Sequence, residues 1–270
     1  MKNTLVLYHA NCMDGFGAAY AAWKKFGSTA EYVPVQYNQP PPEVKGKDVY
    51  ILDFSYPRDI LVGMKSEAKS ILVLDHHKSA KEALEGLDFA KFDMDRSGCI
   101  MTWDYFFDYR TRPFGLELIQ DRDLWRFNFH KTKAFNEALR NLVPQTFEDW
   151  SQHLDTSGAR KLSARGEDLL TVFNVDIDSL IKRARSATLG AAPVITCNAP
   201  PKYASELGNK LALASNIPAV IYSYNGATKQ FDYSLRSVGE TDVSKIAAQF
   251  GGGGHKNAAG FSHKDCVLDL

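Results

Sequence analysis

The chain carries no excess of either charge: 32 lysines and arginines face 32 aspartates and glutamates, for a formal net charge of zero over 270 residues. A protein that coats duplex nucleic acid displaces counterions with a basic surplus, so that class is excluded. Apolar runs long enough to span a bilayer are missing, and with them a helical membrane protein. The four cysteines, Cys12, Cys99, Cys197 and Cys266, are scattered and form no C-x-x-C pair. That spacing suits neither a disulfide framework nor a thiolate zinc site, and it fits free thiols in a reducing compartment. The first apolar run, Leu5 to Tyr8, is too short for a signal-peptide core, so a cytoplasmic protein is expected. Internal repeats and low-complexity tracts are also lacking. What is present is a 44% apolar composition, enough to bury one large core or two modest ones.

Short apolar or β-branched runs at 5–8, 31–35, 49–52 and 71–74 read as strands, with 89–92 as a candidate fifth. Helical patterns at 14–26, 59–69 and 97–109 lie between them. Strands apolar on both faces and separated by helices imply a parallel sheet with crossover connections. Pro40-Pro41-Pro42 interrupts the pattern as a loop. Thr146-Phe-Glu-Asp149 reads as a capping box, and apolar spacing over 158–188 predicts a long helix joining two domains. Beyond Pro193 come strands at 194–197, 219–222 and 231–235, a helix at 203–215, and a last helix with Asp242 as N-cap. The expected fold is α/β: an N-terminal parallel-sheet domain over 1–155, a helical linker over 156–190 and a smaller α/β domain over 191–270, with the active site in the cleft between domains.

Three of the strands end in candidate metal ligands: the first in His9, the third in Asp53, the fourth in Asp75-His76-His77. In an open parallel sheet the carboxyl ends of the strands face one crevice, where ligands bind. Asp14, at the start of the first helix, joins them. A lone aspartate after a strand is ordinarily a turn or a cap; three such endings on three strands point to a metal site. Mixed imidazole and carboxylate ligands suit Mn²⁺, Mg²⁺, Fe²⁺ or Zn²⁺.

His9-Ala-Asn-Cys-Met-Asp14-Gly15, Asp53-Phe-Ser55, Asp75-His76-His77 and Gln120-Asp121-Arg-Asp123 occur in the order and approximate spacing of the DHH phosphoesterase superfamily motifs, which this chain resembles. The tail, with Tyr233-Ser-Leu-Arg-Ser237, Val243-Ser-Lys-Ile-Ala247 and Gly251-Gly-Gly-Gly-His255-Lys-Asn-Ala-Ala-Gly260, is similar to the DHH-associated domain of the oligoribonuclease, RecJ-type and cyclic-dinucleotide phosphodiesterase branches. The resemblance implies a catalytic metal-binding first domain and a substrate-binding last one. It implies that His9, Asp14 and Asp53 hold one metal and that Asp53, His76 and Asp121 hold a second, Mn²⁺ being preferred. Asp75 would orient a histidine, and His77 would contact the scissile phosphate. Such a metal pair activates water and neutralises charge on the attacking and leaving oxygens. The implied reaction is hydrolysis of short oligonucleotides, dinucleotides or nucleoside bisphosphates to 5′-mononucleotides.

The chain departs from the family pattern where Asp-Gly-Asp is common and Asp14-Gly15-Phe16 stands instead, after an interval one residue longer. Phenylalanine cannot ligate, so a water or Asn11 substitutes, or the second metal arrives with substrate. Asp123 is an alternative to Asp121. The glycine run lets backbone N–H groups approach a phosphate without Cβ obstruction. Gly252, Gly253, Gly254, His255 and Asn257 are therefore expected to bind substrate, with Arg236 offering a planar guanidinium. Trp23, Trp103, Trp125 and Trp150 are expected in core packing. The expected partner is a short nucleotide, with no long duplex and no membrane; a homodimer is left open. The rival readings are a RecJ-like single-strand exonuclease, a pyrophosphate hydrolase, and a nucleotide-binding sensor that no longer hydrolyses.

Overall fold

The apolar runs of the N-terminal half become a five-stranded sheet in the computed structural model, which describes residues 2–37 and 39–269. Its elements are β1 (Thr4–His9), α1 (Met13–Phe26), β2 (Ala30–Val35), β3 (Asp48–Leu52), α2 (Arg58–Glu67), β4 (Ser70–Asp75), α3 (Lys78–Ala83) and β5 (Ala90–Phe92). The order is β2-β1-β3-β4-β5 and every pairing is parallel. Alternate residues feed two cores. Val6, Leu52 and Leu74 pack with Phe16, Ala18, Ala21 and Ala22 of α1, while Leu5, Leu7, Ile51 and Val73 pack with Leu61 and Met64 of α2. Burial on both faces is why these strands read as continuous apolar runs.

The chain continues through α4 (Gly98–Phe106), α5 (Phe114–Asp123), α6 (Thr132–Leu142), α7 (Phe147–Ser151) and α8 (Thr156–Ile181). Small residues on α1 allow α4 to come close: a Cβ on Gly17 would lie 2.9 Å from Cys99 Cβ. Thr146 caps α7, its Oγ1 accepting from the Asp149 N–H at 3.1 Å, while its own N–H goes to Pro144 O and leaves the box half formed. Asp155 caps α8 through the Gly158 N–H at 2.6 Å.

The fold comprises two compact units that divide between residues 170 and 171, within α8. The second unit holds β6 (Arg185–Leu189), β7 (Ala192–Asn198), α9 (Ala204–Ser215), β8 (Ala219–Asn225), β9 (Gln230–Arg236), α10 (Val243–Ala248), β10 (Gly253–His255), β11 (Ala258–His263) and β12 (Leu268–Asp269). These strands form a seven-stranded sheet in the order β10-β11-β9-β8-β7-β6-β12, in which β7 and β8 are parallel and the other pairs antiparallel.

Several expectations need correction. The linker does not extend to 190, because α8 stops at Ile181 and residues 185–189 pair with β7 as a strand. The helix read over 97–109 ends at Phe106. Helix α6 went unpredicted, although Ala134, Phe135, Ala138 and Leu139 recur on one face and are all buried. Among the described residues no helix is long and apolar enough to cross a membrane, and all four cysteines are free thiols.

Candidate metal centre

The parallel register brings the ends of β1, β3 and β4 to one edge of the sheet. His9 closes β1. Asp53 follows β3 with a left-handed backbone (φ 56°), a conformation that aspartate tolerates better than most residues, and its N–H donates to Leu74 O at 2.8 Å. Asp14, in the first turn of α1, is buried, and three donors at the start of α4 fix its carboxylate: Ser97 Oγ at 2.6 Å, Gly98 N at 2.5 Å and Cys99 N at 3.1 Å. Gly15 has to be glycine, since a Cβ there would stand 2.3 Å from His9 O.

These side chains converge. His76 Nε2 lies 3.2 Å from Asp53 Oδ1, 3.4 Å from Asp123 Oδ2 and 3.6 Å from Asp14 Oδ2. His9 Nδ1 lies 3.5 Å from Asp53 Oδ2. Two trios, His9–Asp53–His77 and Asp14–His76–Asp123, each offer ligand atoms within 4.8 Å of one another, and the Asp53–His76 contact joins them. Both carboxylate oxygens of Asp53 and Nδ1 of His9 are buried without a hydrogen-bond partner. Buried polar atoms are rarely left so, and a cation between them satisfies all three. The donor set and these orphaned atoms therefore fit a divalent metal.

Asp75 contacts His77, a member of the first trio. Its Oδ1 stands 2.6 Å from His77 Nδ1 and also accepts from the backbone N–H groups of His76 and His77, and its Oδ2 accepts from Ser55 Oγ at 2.6 Å.

Asp121 is a correction. Its carboxylate accepts from Asn128 N at 2.8 Å, from Phe129 N at 3.1 Å and from Thr132 Oγ1, so it ties the turn after α5 to the start of α6. The carboxylate that reaches His76 belongs to Asp123. The pair gives a clean test: Asp123→Asn should lower metal content and leave the melting temperature nearly unchanged. Asp121→Ala should cost on the order of 2–4 kcal/mol of stability, since three donors lose their acceptor. Metal titration and thermal melts of the two variants separate these outcomes, and an unaltered melt of Asp121→Ala would contradict the assignment.

Phe16, at the position where the family carries a ligand, turns into the core instead. It stacks on Phe147 (4.9 Å, 22°) and meets Trp150 edge to face at 4.7 Å, pinning α7 to α1. Asn11 is exposed in a left-handed turn (φ 57°).

A family model for the DHHA1 domain matches residues 192–269. Uncharacterized protein R106 of Acanthamoeba polyphaga mimivirus is 31% identical to this chain, over 96% of it and 67% of the viral protein. Oligoribonuclease NrnB of Bacillus subtilis is 26% identical, over 98% of this chain and 74% of its own. A solved structure of exonuclease RecJ bound to manganese shares the fold with a TM-score of 0.56 at 14% identity, covering 97% of this chain and 86% of RecJ. This chain belongs to the DHH phosphoesterase superfamily. It is a hydrolase, and the strand-end cluster, the DHH centre, carries its Asp75-His76-His77 run.

Within the DHH centre, protonation follows from crowding of like charges. Burial, with the Asp53 and Asp123 charges behind it, pushes the Asp14 carboxyl up to about 8. Burial also raises Asp123, and the Asp53 charge adds to it. For Asp53 burial acts upward too, yet the adjacent His76 and His9 imidazoles outweigh it and hold the group well below the usual carboxylate range. His76 is held at about 10: burial opposes its charge, but the adjacent Asp53 carboxylate and the Asp123 charge prevail. Against the same burial, Asp75 lifts His77 to about 9. In the metal-free protein the raised values make the fold less stable as pH climbs, between the ordinary value and about 8 for Asp14 and between it and about 10 for His76. Ligation needs both groups bare, so Mn²⁺ binding at pH 7 should release on the order of two protons and should tighten as pH rises. Calorimetry in buffers of different ionisation enthalpy reads this directly; binding without proton release would refute it.

In the DHHA1 domain the glycine run is no open loop. Gly253–His255 is β10, and a Cβ on Gly252 would stand 2.1 Å from Gly260 O, so this glycine serves the close approach of two backbone segments. Asn257 Nδ2 donates to Ser237 Oγ at 2.9 Å and to Gly239 O and Thr241 O at 3.4 Å, closing the loop that follows β9. Arg236 donates to Ser205 Oγ at 2.9 Å, its stem packed against Gly208 of α9. Sequence reasoning missed Ser97 and Gly98, although a serine before a helix signals an N-terminus; here its hydroxyl goes to Asp14. It also passed over the Cys12 thiol, which burial and then the Asp53, Asp123 and Asp14 charges hold well above the usual thiol range.

Proposed function

We propose that the protein is a metal-dependent phosphodiesterase that hydrolyses short oligonucleotides, dinucleotides or nucleoside bisphosphates, with Mn²⁺ the preferred ion and 5′-mononucleotides the product. The observation that carries this reading is the pair of ligand trios joined at Asp53, whose two buried oxygens have no other partner. His9, Asp14, Asp53, His76 and Asp123 would hold the ions. Bound there, the ions supply Lewis acidity for transfer of a phosphoryl group to water.

The chain's own groups then have separate tasks. Ser97, Gly98 and Cys99 lock the Asp14 carboxylate, and Asp75 fixes the His77 ring through Nδ1. His77, 14% exposed, would donate to a phosphoryl oxygen. In the DHHA1 domain His255 and the Arg236 guanidinium are the groups offered to a substrate phosphate. The name of the NrnB relative, an oligoribonuclease, supports a short substrate, as does the zero net charge, which provides no electrostatic track for a long strand. The same argument disfavours a processive single-strand exonuclease. A nucleotide sensor loses its motive, since the Asp14–His76–Asp123 trio assembles with Phe16 in the core. A cytoplasmic setting goes with such a substrate.

Incubation with 5′-phosphorylated diadenylate (pApA) and Mn²⁺ should release AMP. Tight binding of pApA with no AMP under Mn²⁺, Mg²⁺ or other divalent ions would favour the sensor. Faster cleavage of long single-stranded DNA than of pApA would favour the exonuclease.

A further inference from the structure

Tyr37 is a large aromatic side chain left 49% exposed beside the DHH centre. The register puts it there. His9 pairs with Val35 across parallel β1 and β2, so Tyr37 lies just beyond the end of β2, at the sheet edge where ligands bind. Its ring meets the His9 ring edge to face, with centroids 5.6 Å apart at 74°. It also leans on Phe54, the residue after Asp53, at 4.7 Å and 39°. Phe54 in turn packs on Tyr56 at 4.9 Å. Phe54 and Tyr56 are buried and core packing accounts for them. Tyr37 is the outermost ring of this series, and keeping half of it in water forgoes the burial that usually retains an aromatic residue. The Pro40–Pro42 run follows shortly after and narrows the conformations open to the segment.

We propose that Tyr37 is the stacking platform for a substrate nucleobase next to the scissile phosphodiester, an inference that rests on the oligonucleotide reading above. An exposed ring touching a ligand histidine offers a base-sized apolar surface beside the phosphoryl centre. Stacking is sequence-tolerant, because every base has a π-face, and it needs no charge. It therefore supplies a neutral chain with affinity for a nucleotide that a basic surface supplies elsewhere.

The test measures kcat, KM and bound Mn²⁺ for the native protein, Tyr37→Phe and Tyr37→Ala. The substrates are pApA and two analogues in which one or the other adenosine is replaced by an abasic tetrahydrofuran nucleotide. Removing one stacked base from an aromatic side chain changes affinity by about 5- to 150-fold. Tyr37→Ala should raise KM for pApA by a factor in that range at unchanged metal content, and Tyr37→Phe should restore it. One abasic analogue should be as poor for the native protein as pApA is for Tyr37→Ala, and Tyr37→Ala should not weaken it further. An unchanged KM, an equal loss on both analogues, or lost Mn²⁺ would overturn the proposal, the last two by showing that Tyr37 acts only through His9. A native protein that cleaves none of the three would overturn the proposed function instead; the same comparisons in equilibrium binding would then decide the role of Tyr37.

Discussion

Asp53→Asn should abolish dinucleotide hydrolysis, with kcat lowered on the order of 1,000-fold or more, the scale on which a single electrostatic contact to a reacting group is lost. The substitution is nearly isosteric, so the 1% exposed site keeps its shape, but the group that meets both His9 and His76 loses its charge. Metal binding should weaken in parallel. A second readout separates electrostatics from misfolding. Among the partners that hold His76 at about 10 the adjacent Asp53 carboxylate acts most strongly, so in the metal-free variant the His76 imidazole should titrate at a lower pH. Proton NMR of the histidine ring follows this directly. Full activity in Asp53→Asn would remove Asp53 from the centre altogether.

The second large effect needs no ligand to be altered. A Cβ on Gly98 would sit 2.5 Å from Asp53 Cβ and 2.8 Å from its Oδ1, while the Gly98 N–H already holds Asp14. Gly98→Ala forces α4 away from both carboxylates, and a misplacement near 1 Å at reacting groups costs on the order of 100-fold. Helix propensity alone would make Gly→Ala stabilising by about 1 kcal/mol. The collision should reverse that sign, with a destabilisation of about 1–3 kcal/mol. Gly63→Ala on α2 is the control: nothing stands within 4 Å of its added Cβ, so stability should rise and activity should not move. If Gly98→Ala behaved like Gly63→Ala, the start of α4 would not be the rigid wall that the centre requires.

Much of the centre was legible because its residues end strands. A strand end in a parallel sheet has one address, and His9, Asp53, His76 and His77 all arrive at it, Asp14 coming with them because it opens the helix that follows β1. Helical residues have no such address. Asp121 and Asp123 lie two positions apart, roughly 200° around α5, and apolar spacing does not tell which one faces His76 and which faces Thr132. Phe16, read from the sequence as unable to ligate, packs on Phe147 and Trp150, and Asn257 bonds to the 237–241 loop, a contact that no motif signals. The glycine run suggested an open cradle because composition reports missing side chains and not what fills the space; Gly260 fills it. Tyr37 carried no motif at all, and only the register with β1 reveals its neighbour.

Helix α1 is buried without interruption from Asp14 to Ala22, so opening it means opening the core around it. Its amides should then exchange with solvent only through near-global unfolding, on the slowest timescale the molecule has. Asp14 is thus anchored in a segment that should open only with the core around it, which should preserve the centre's spacing between turnovers.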